Sequence, residues 1–265
     1  GTGLRLSRVF GRGRAGLAEA LKFNLETAKA MGSAFSALSD SFKGKSGTAL
    51  AMYRKGLGYS AEEMAALGTS ALASGRDMND LAREITSYAS SMEKDFGFSM
   101  KVISKDMGKM IADFDHFGNL GPKVMAQAAV RTRRLGIEVK SLTGMIDKFD
   151  NFEDAAKSAA GLSQSFGMNV DALKLMREED PAARLDMMRK AFAKTGKSME
   201  GMTRIQRKQI ATLTGLDQKT ASIAFSQKNL GMSYDEVTKA GKKGEKKQLT
   251  QAQAMDKLAN SIERV

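Results

Sequence analysis

Apolar and polar positions along this chain alternate as in helices cut short by a recurring punctuation. Met78, Leu81, Ile85, Tyr88 and Met92 step by three and four, as do Met100, Ile103, Met107, Met110, Phe114 and Phe117. Each series draws one apolar stripe down a helix. Phe152, Ala155, Ala159, Leu162 and Phe166 draw a third. Only Gly97 and Phe98 separate the first two stripes, which predicts an antiparallel helical hairpin. No stretch alternates with period two for long, and Leu4 to Phe10 is the one short strand the pattern would permit.

The punctuation is itself a motif: glycine, a usually apolar residue, then Ser, Asp or Asn, with an apolar residue four positions further on. It begins at Gly58, Gly75, Gly97, Gly136, Gly167, Gly196, Gly215 and Gly231. Glycine just past a helix adopts the left-handed conformation that ends it. The polar residue two positions later, Ser60, Asp77, Ser99, Asn169, Ser198, Asp217 or Ser233, then caps the next helix by accepting a free backbone N–H. The apolar residue between them packs back and staples the next helix. Ser60 with Glu63 adds a capping box. Arg76 and Lys197 interrupt the staple and Glu138 is a poor cap, so those three joints should be looser. The intervals between glycines are irregular, which argues against a fixed-period solenoid.

Asp180-Pro181 is a cap followed by proline at the first helical position. Asn119 to Pro122 also breaks the chain. Helices are predicted near 16–42, 60–73, 78–96, 99–117, 121–135, 139–149, 151–166, 170–178, 181–194, 203–214, 218–229, 234–240 and 250–264. The fold class expected is all-α: short helices and antiparallel helical hairpins joined by tight glycine-containing turns. The organisation expected is a basic arm over 1–15, a helical segment over 16–56, a compact helical domain over 57–229, and a basic linker with a final helix over 230–265.

Composition narrows this picture in three ways. With 42% apolar residues a core can form, and with no cysteine neither a disulfide framework nor a thiolate metal site is available. No apolar run approaches the roughly 18 residues of a membrane-spanning helix, and no secretory signal is visible. Third, the net charge of +12 concentrates at the ends. Arg5, Arg8, Arg12 and Arg14 stand without an acid among the first residues, and Lys239, Lys242, Lys243, Lys246 and Lys247 face only Glu245. Such runs are solvated linkers or transient contacts for DNA or lipid head groups. The chain opens on Gly1 and closes on an unfinished helical pattern at Leu258–Val265, as a fragment of a longer protein would.

Candidate chemistry is sparse, and the sequence assigns no catalytic, cofactor-binding or metal-binding residue and no cofactor. The single histidine, His116, stands near Asp113 and Asp115 and reads as a surface or interface residue. Gly11-Arg-Gly-Arg-Ala-Gly16 matches the dinucleotide pattern in letters but lacks the surrounding βαβ unit, so it reads as a basic linker. Glu178, Glu179 and Asp180 suit a helix N-terminus, and Arg131, Arg133 and Arg134 a helix C-terminus, with anion contact as the alternative for the arginines. The 18 methionines sit mostly on apolar faces and fill irregular gaps.

The stretch from Leu57 to Gln227 resembles the helical region of tail tape measure proteins from contractile-tailed bacteriophages. The resemblance is carried by Gly97-Phe-Ser-Met-Lys-Val-Ile-Ser-Lys-Asp-Met107, Arg133-Arg-Leu-Gly-Ile-Glu-Val139 and Phe152-Glu-Asp-Ala-Ala156. Further segments are Leu162-Ser-Gln-Ser-Phe-Gly-Met-Asn-Val-Asp-Ala172, Glu179-Asp-Pro-Ala182 and Ala191-Phe-Ala-Lys-Thr-Gly-Lys-Ser-Met199. It implies a structural virion protein rather than an enzyme, located in the phage tail after assembly in the host cytoplasm. Such a protein sets tail length, fills the tail tube or contacts the baseplate hub, and is ejected at infection. Its expected partners are copies of itself and tail tube and baseplate hub proteins. The basic ends would add transient contact with DNA or the host membrane. A nucleic-acid-binding or membrane-active helical module is the alternative expectation.

Overall fold

The computed structural model describes residues 14–32, 47–245 and 248–263. The Leu4–Phe10 strand, most of the Gly11–Gly16 run, Arg5, Arg8, Arg12, Lys246 and Lys247 lie outside the described residues. Among those described there is helix and turn but no strand, so the chain is all-α. Two compact units form, one within Gly1–Ala126 and Ala240–Val265, the other within Gln127–Lys239. The segments drawn from sequence at 16–56, 57–229 and 230–265 do not coincide with these units, because the final helix belongs with the first ones rather than with a linker.

In the first unit α1 (Arg14–Met31), α2 (Gly47–Leu57), α3 (Ala61–Ala73), α4 (Met78–Phe96), α5 (Met100–Ala112) and α16 (Gln251–Glu263) pack on one another. A short turn of helix, α6 (Phe114–Phe117), follows α5. The α4 stripe of Met78, Leu81, Ile85, Tyr88 and Met92 is wholly buried, and α5 folds back against α4 as the hairpin the spacing predicts. Helix α2 was not legible as a stripe. Its consecutive residues Ala51, Met52 and Tyr53 are all buried, so it is enclosed rather than amphipathic.

The second unit holds α8 (Thr143–Asp150), α9 (Phe152–Phe166), α10 (Ala172–Arg177), α11 (Pro181–Ala193), α12 (Arg204–Thr214), α13 (Gln218–Ala224) and α14 (Gln227–Leu230). Its core gathers Phe149, Phe166, Phe192 and Phe225, with the last two rings edge to face at 5.3 Å. Helices α7 (Pro122–Leu135) and α15 (Asp235–Glu245) contribute residues to both units by number.

Most joints follow the predicted chemistry. Gly58, Gly75, Gly97, Gly136, Gly167, Gly196 and Gly215 take positive φ, as does Gly32. Tyr59, Arg76, Ile137 and Leu216, each just after such a glycine, donate N–H back to Arg54, Ala71, Thr132 and Ala211, the six-to-one bond of a Schellman turn. Ser60 and Glu63 form the reciprocal capping box, and Asp77, Ser99, Asp180 and Asp217 accept the expected backbone N–H bonds.

Several expectations are corrected. Gly231 is right-handed, at φ −75°, so that joint is not a left-handed stop. Asn169 does not cap; the chain stays extended to Asp171, which accepts from Lys174 N–H instead. After Ser198 there is only a 3-10 turn, Met199–Gly201, and α12 starts from a Thr203–Gln206 capping box. The expected helix over 99–117 breaks at Asp113, which turns Phe114 outward while Phe117 stays buried. Phe152 is likewise exposed, because it is the first residue of its helix and precedes the buried part of the stripe. Finally, the basic stretch after Ala240 is helix to Glu245, not linker. Gly244 lets that helix approach Ser91 and Tyr88, where an added Cβ would lie 3.2–3.3 Å from their side chains.

Candidate functional site

The most unusual chemistry lies within the second unit, where several charged side chains are buried together. Gln127, Arg131 and Arg134 recur at helical spacing on one face of α7. Asp180 caps α11, and Arg184, Asp186, Arg189 and Lys190 project from that helix. Tyr234, Glu236, Val237 and Thr238 come from the start of α15 and the turn before it.

Arg189 is the centre, at 1% exposure. Its Nε donates to the Ala224 carbonyl at 3.1 Å and one terminal nitrogen donates to Asp186 Oδ1 at 2.8 Å. The other terminal nitrogen donates to the Asn229 carbonyl. Ala224 and Asn229 lie at the ends of α13 and α14, so one guanidinium satisfies the Ala224 carbonyl and adds a donor to the Asn229 carbonyl, which also accepts the Met232 N–H at 3.1 Å. The group also lies 4.9 Å from the centroid of the Tyr234 ring, within cation–π range. Asn229 is itself buried and donates to the Leu135 and Ile223 carbonyls at 3.1 and 2.7 Å.

A second pairing sits beside it. Arg131 forms an ion pair with Asp180 and donates to Thr238 Oγ1 at 2.8 Å. Gln127 donates to the Val237 and Thr238 carbonyls, both at 3.4 Å. Arg134 lies 3.7 Å from Glu236 and 5.8 Å from the Tyr234 centroid. On the other side of α11, Arg184 donates to the Glu178 carbonyl at 2.9 Å and approaches Asp150 at 3.4 Å.

Burial sets the electrostatics. It lowers the Arg189 guanidinium below its usual range, against the pull of Tyr234 and Asp186. It pushes the Tyr234 hydroxyl up to about 12, with Arg189 opposing. It raises the Asp180 carboxyl although Arg131 and the Ala182 and Ala183 amides pull it down. Chemically the arrangement is a clamp. The guanidinium nitrogens that are paired reach carbonyls, carboxylates and the Thr238 hydroxyl of the protein, and the result fixes residues 223–238 on α7 and α11.

The residues singled out from sequence fall into place differently. Arg131 and Asp180 meet in this cluster, whereas Arg133 is exposed. Glu178 accepts the Asp180 N–H at 3.1 Å and Asp180 caps α11, so these two of the acidic trio serve the start of that helix, while Glu179 is exposed. His116 Nδ1 lies 2.6 Å from Asp113 Oδ1 across the break after α5. Among the described residues no three His, Cys, Asp or Glu side chains gather as a metal would need. Arg184, Asp186 and Arg189 escaped the sequence reading. Their only signal was charge at i, i+2 and i+5 in a helix whose neighbours Leu185, Met188 and Phe192 are core residues.

In the first unit a pocket of about 180 Å³ is lined by Glu93, Ser99, Lys101, Lys257, Asn260 and Ser261. Its hydroxyls are engaged within the fold: Ser99 accepts from Val102 N–H and Ser261 donates to the Gly56 carbonyl. No family model, no curated protein and no solved structure matches the chain.

Proposed function

We propose that this chain is a structural virion segment, part of a tail tape measure protein of a contractile-tailed phage. It works by packing its helices against copies of itself and against tail tube and baseplate hub proteins, in the tail, and leaves the particle at infection. The observation that carries the reading is the ordered resemblance over Leu57–Gln227. Support comes from where those residues lie: 97–107 and 162–172 span helix joints, and Arg134 and Glu179–Ala182 lie in and beside the ionic clamp. Tube filling or hub contact suits this segment better than measuring. Its longest described helix, Met78–Phe96, has 19 residues, or about 28 Å at the usual rise per residue.

Mass spectrometry of purified particles made from the encoding genome tests the proposal. Peptides of residues 57–227 should be present in intact particles and lost from particles that have ejected their DNA. An in-frame deletion of 127–239 should abolish tails or infectivity. Absence of the peptides from intact particles, or unchanged tails and infectivity in the deletion, would overturn it.

A further inference from the structure

Helix α1 has two apolar faces, and among the described residues only one of them is buried within its unit. Ala20, Thr27 and Met31 are buried, with Ala20 packed against Ala51, Met52 and Ala259. On the opposite face Leu21 and Leu25 remain 58% and 57% exposed. Ala18 is exposed and Ala28 half-buried on the same side. The positions 18, 21, 25 and 28 step by three, four and three, the spacing of a coiled-coil seam. Lys22 and Lys29, both exposed, each follow a seam residue at the flanking position where coiled coils place their pairing charges.

Tertiary pairing gives this face its sign. The acids of α1, Glu19 and Glu26, are drawn to α2, where they meet Lys55 at 2.9 Å and Arg54 at 2.8 Å. Arg54 also lies 4.6 Å from the Phe23 ring centroid. What remains beside the outer leucines is cationic.

We propose that the outer face of α1 is a docking seam for an acidic amphipathic helix, with leucine-like residues at heptad spacing and glutamates opposite Lys22 and Lys29. A second copy does not supply these. Parallel pairing sets the two lysines against flanking positions that hold no acid in α1, and antiparallel pairing sets Lys22 against Lys29. Duplex DNA would use the lysines and leave the leucines idle. An interfacial helix needs a broader apolar face than two leucines. The seam lies outside the stretch that resembles tape measure proteins, so it stands apart from the virion reading.

The test uses the full chain and a labelled synthetic heptad peptide with leucine at the core positions and glutamate at the flanks, titrated by fluorescence anisotropy. A matched peptide with lysine flanks, anionic phosphatidylglycerol vesicles and duplex DNA are the comparison probes. The glutamate peptide should bind saturably and the lysine peptide should not. Leu21→Gln with Leu25→Gln should weaken binding by on the order of tenfold or more, from the loss of apolar burial. Lys22→Glu with Lys29→Glu should invert the peptide preference, and Lys208→Glu with Lys219→Glu, far along the chain, should change nothing. All four substituted sites of α1 are exposed, and circular dichroism confirms that the variants fold. No saturable binding of the glutamate peptide would overturn the proposal. So would equal loss on Lys208 and Lys219 substitution, or tighter Leu21- and Leu25-dependent binding to vesicles or DNA than to the peptide.

Discussion

Three glycines in the second unit separate two costs that usually travel together. Gly167 ends α9 at φ +74°, and a Cβ added there would meet nothing within 4 Å. Gly144 has an ordinary backbone, but its added Cβ would lie 2.5 Å from the Gly215 carbonyl oxygen. Gly215 carries both burdens: φ is +72°, and its Cβ would press on the Gly144 carbonyl with Met145 Cα 2.8 Å away. Alanine in the left-handed region costs roughly 1–2 kcal/mol, offset by about 0.4–1 kcal/mol from the stiffer unfolded chain. Gly167→Ala should therefore cost about 1 kcal/mol. Pressing a methyl into backbone that must shift costs about 1–3 kcal/mol. Gly144→Ala should lose about 1–2 kcal/mol once the helical advantage of alanine is deducted. Gly215→Ala should lose about 2–4 kcal/mol, the largest of the three. Native-state hydrogen exchange of the α8 and α12 amides reads the second unit directly. The reasoning is refuted if Gly215→Ala costs no more than Gly167→Ala, or if Gly144→Ala is neutral.

Other outcomes follow from the ionic clamp and the caps. Arg189→Met should destabilise residues 127–239 by about 3 kcal/mol, because Asp186 is left with only the exposed Lys190 and the buried Ala224 carbonyl loses its donor; Arg189→Lys should recover only part, as seen by urea denaturation. Tyr234 should stay protonated where free tyrosine ionises. Its raised hydroxyl stabilises the fold fully below about pH 10, and this is lost as pH rises toward the folded value of about 12; ultraviolet titration of wild type against Tyr234→Phe checks it. Asp217→Asn should weaken the start of α13 near neutral pH. The Thr220 hydroxyl and backbone amides hold that carboxyl below its ordinary range. The carboxylate's contribution is present above the unfolded value of about 3.9 and disappears as pH falls through the folded one. The difference between the two proteins, read by urea melts, should therefore shrink in acid.

The joints were readable because their cause is local. A left-handed glycine, the residue that packs back on it and a capping Ser or Asp lie within a few residues, and the seven glycines with positive φ among the eight expected follow from that. Gly231 misled because its sequence neighbourhood is the same while its backbone is right-handed. Asn169 misled because a better-placed carboxylate, Asp171, competes for the same N-terminus two residues later. The basic stretch after Ala240 read as linker, yet it continues α15 to Glu245, where the approach of Gly244 to Ser91 and Tyr88 favours a residue without Cβ.

By itself the sequence determined the helical class, the sites of most chain reversals and the buried stripes of α4 and α5, since periodicity and capping act over one or two turns. It did not determine which charges would be buried or which apolar faces would be left over. Arg131 and Asp180 are 49 residues apart, Arg189 and Asn229 are 40 apart, and Lys55 is 36 residues from Glu19. Only the packing brings them together. The physical reason is that a charge is read as surface until a partner from elsewhere in the chain repays its desolvation. The same packing that draws Glu19 and Glu26 to the cations of α2 leaves the outer leucines and lysines of α1 exposed.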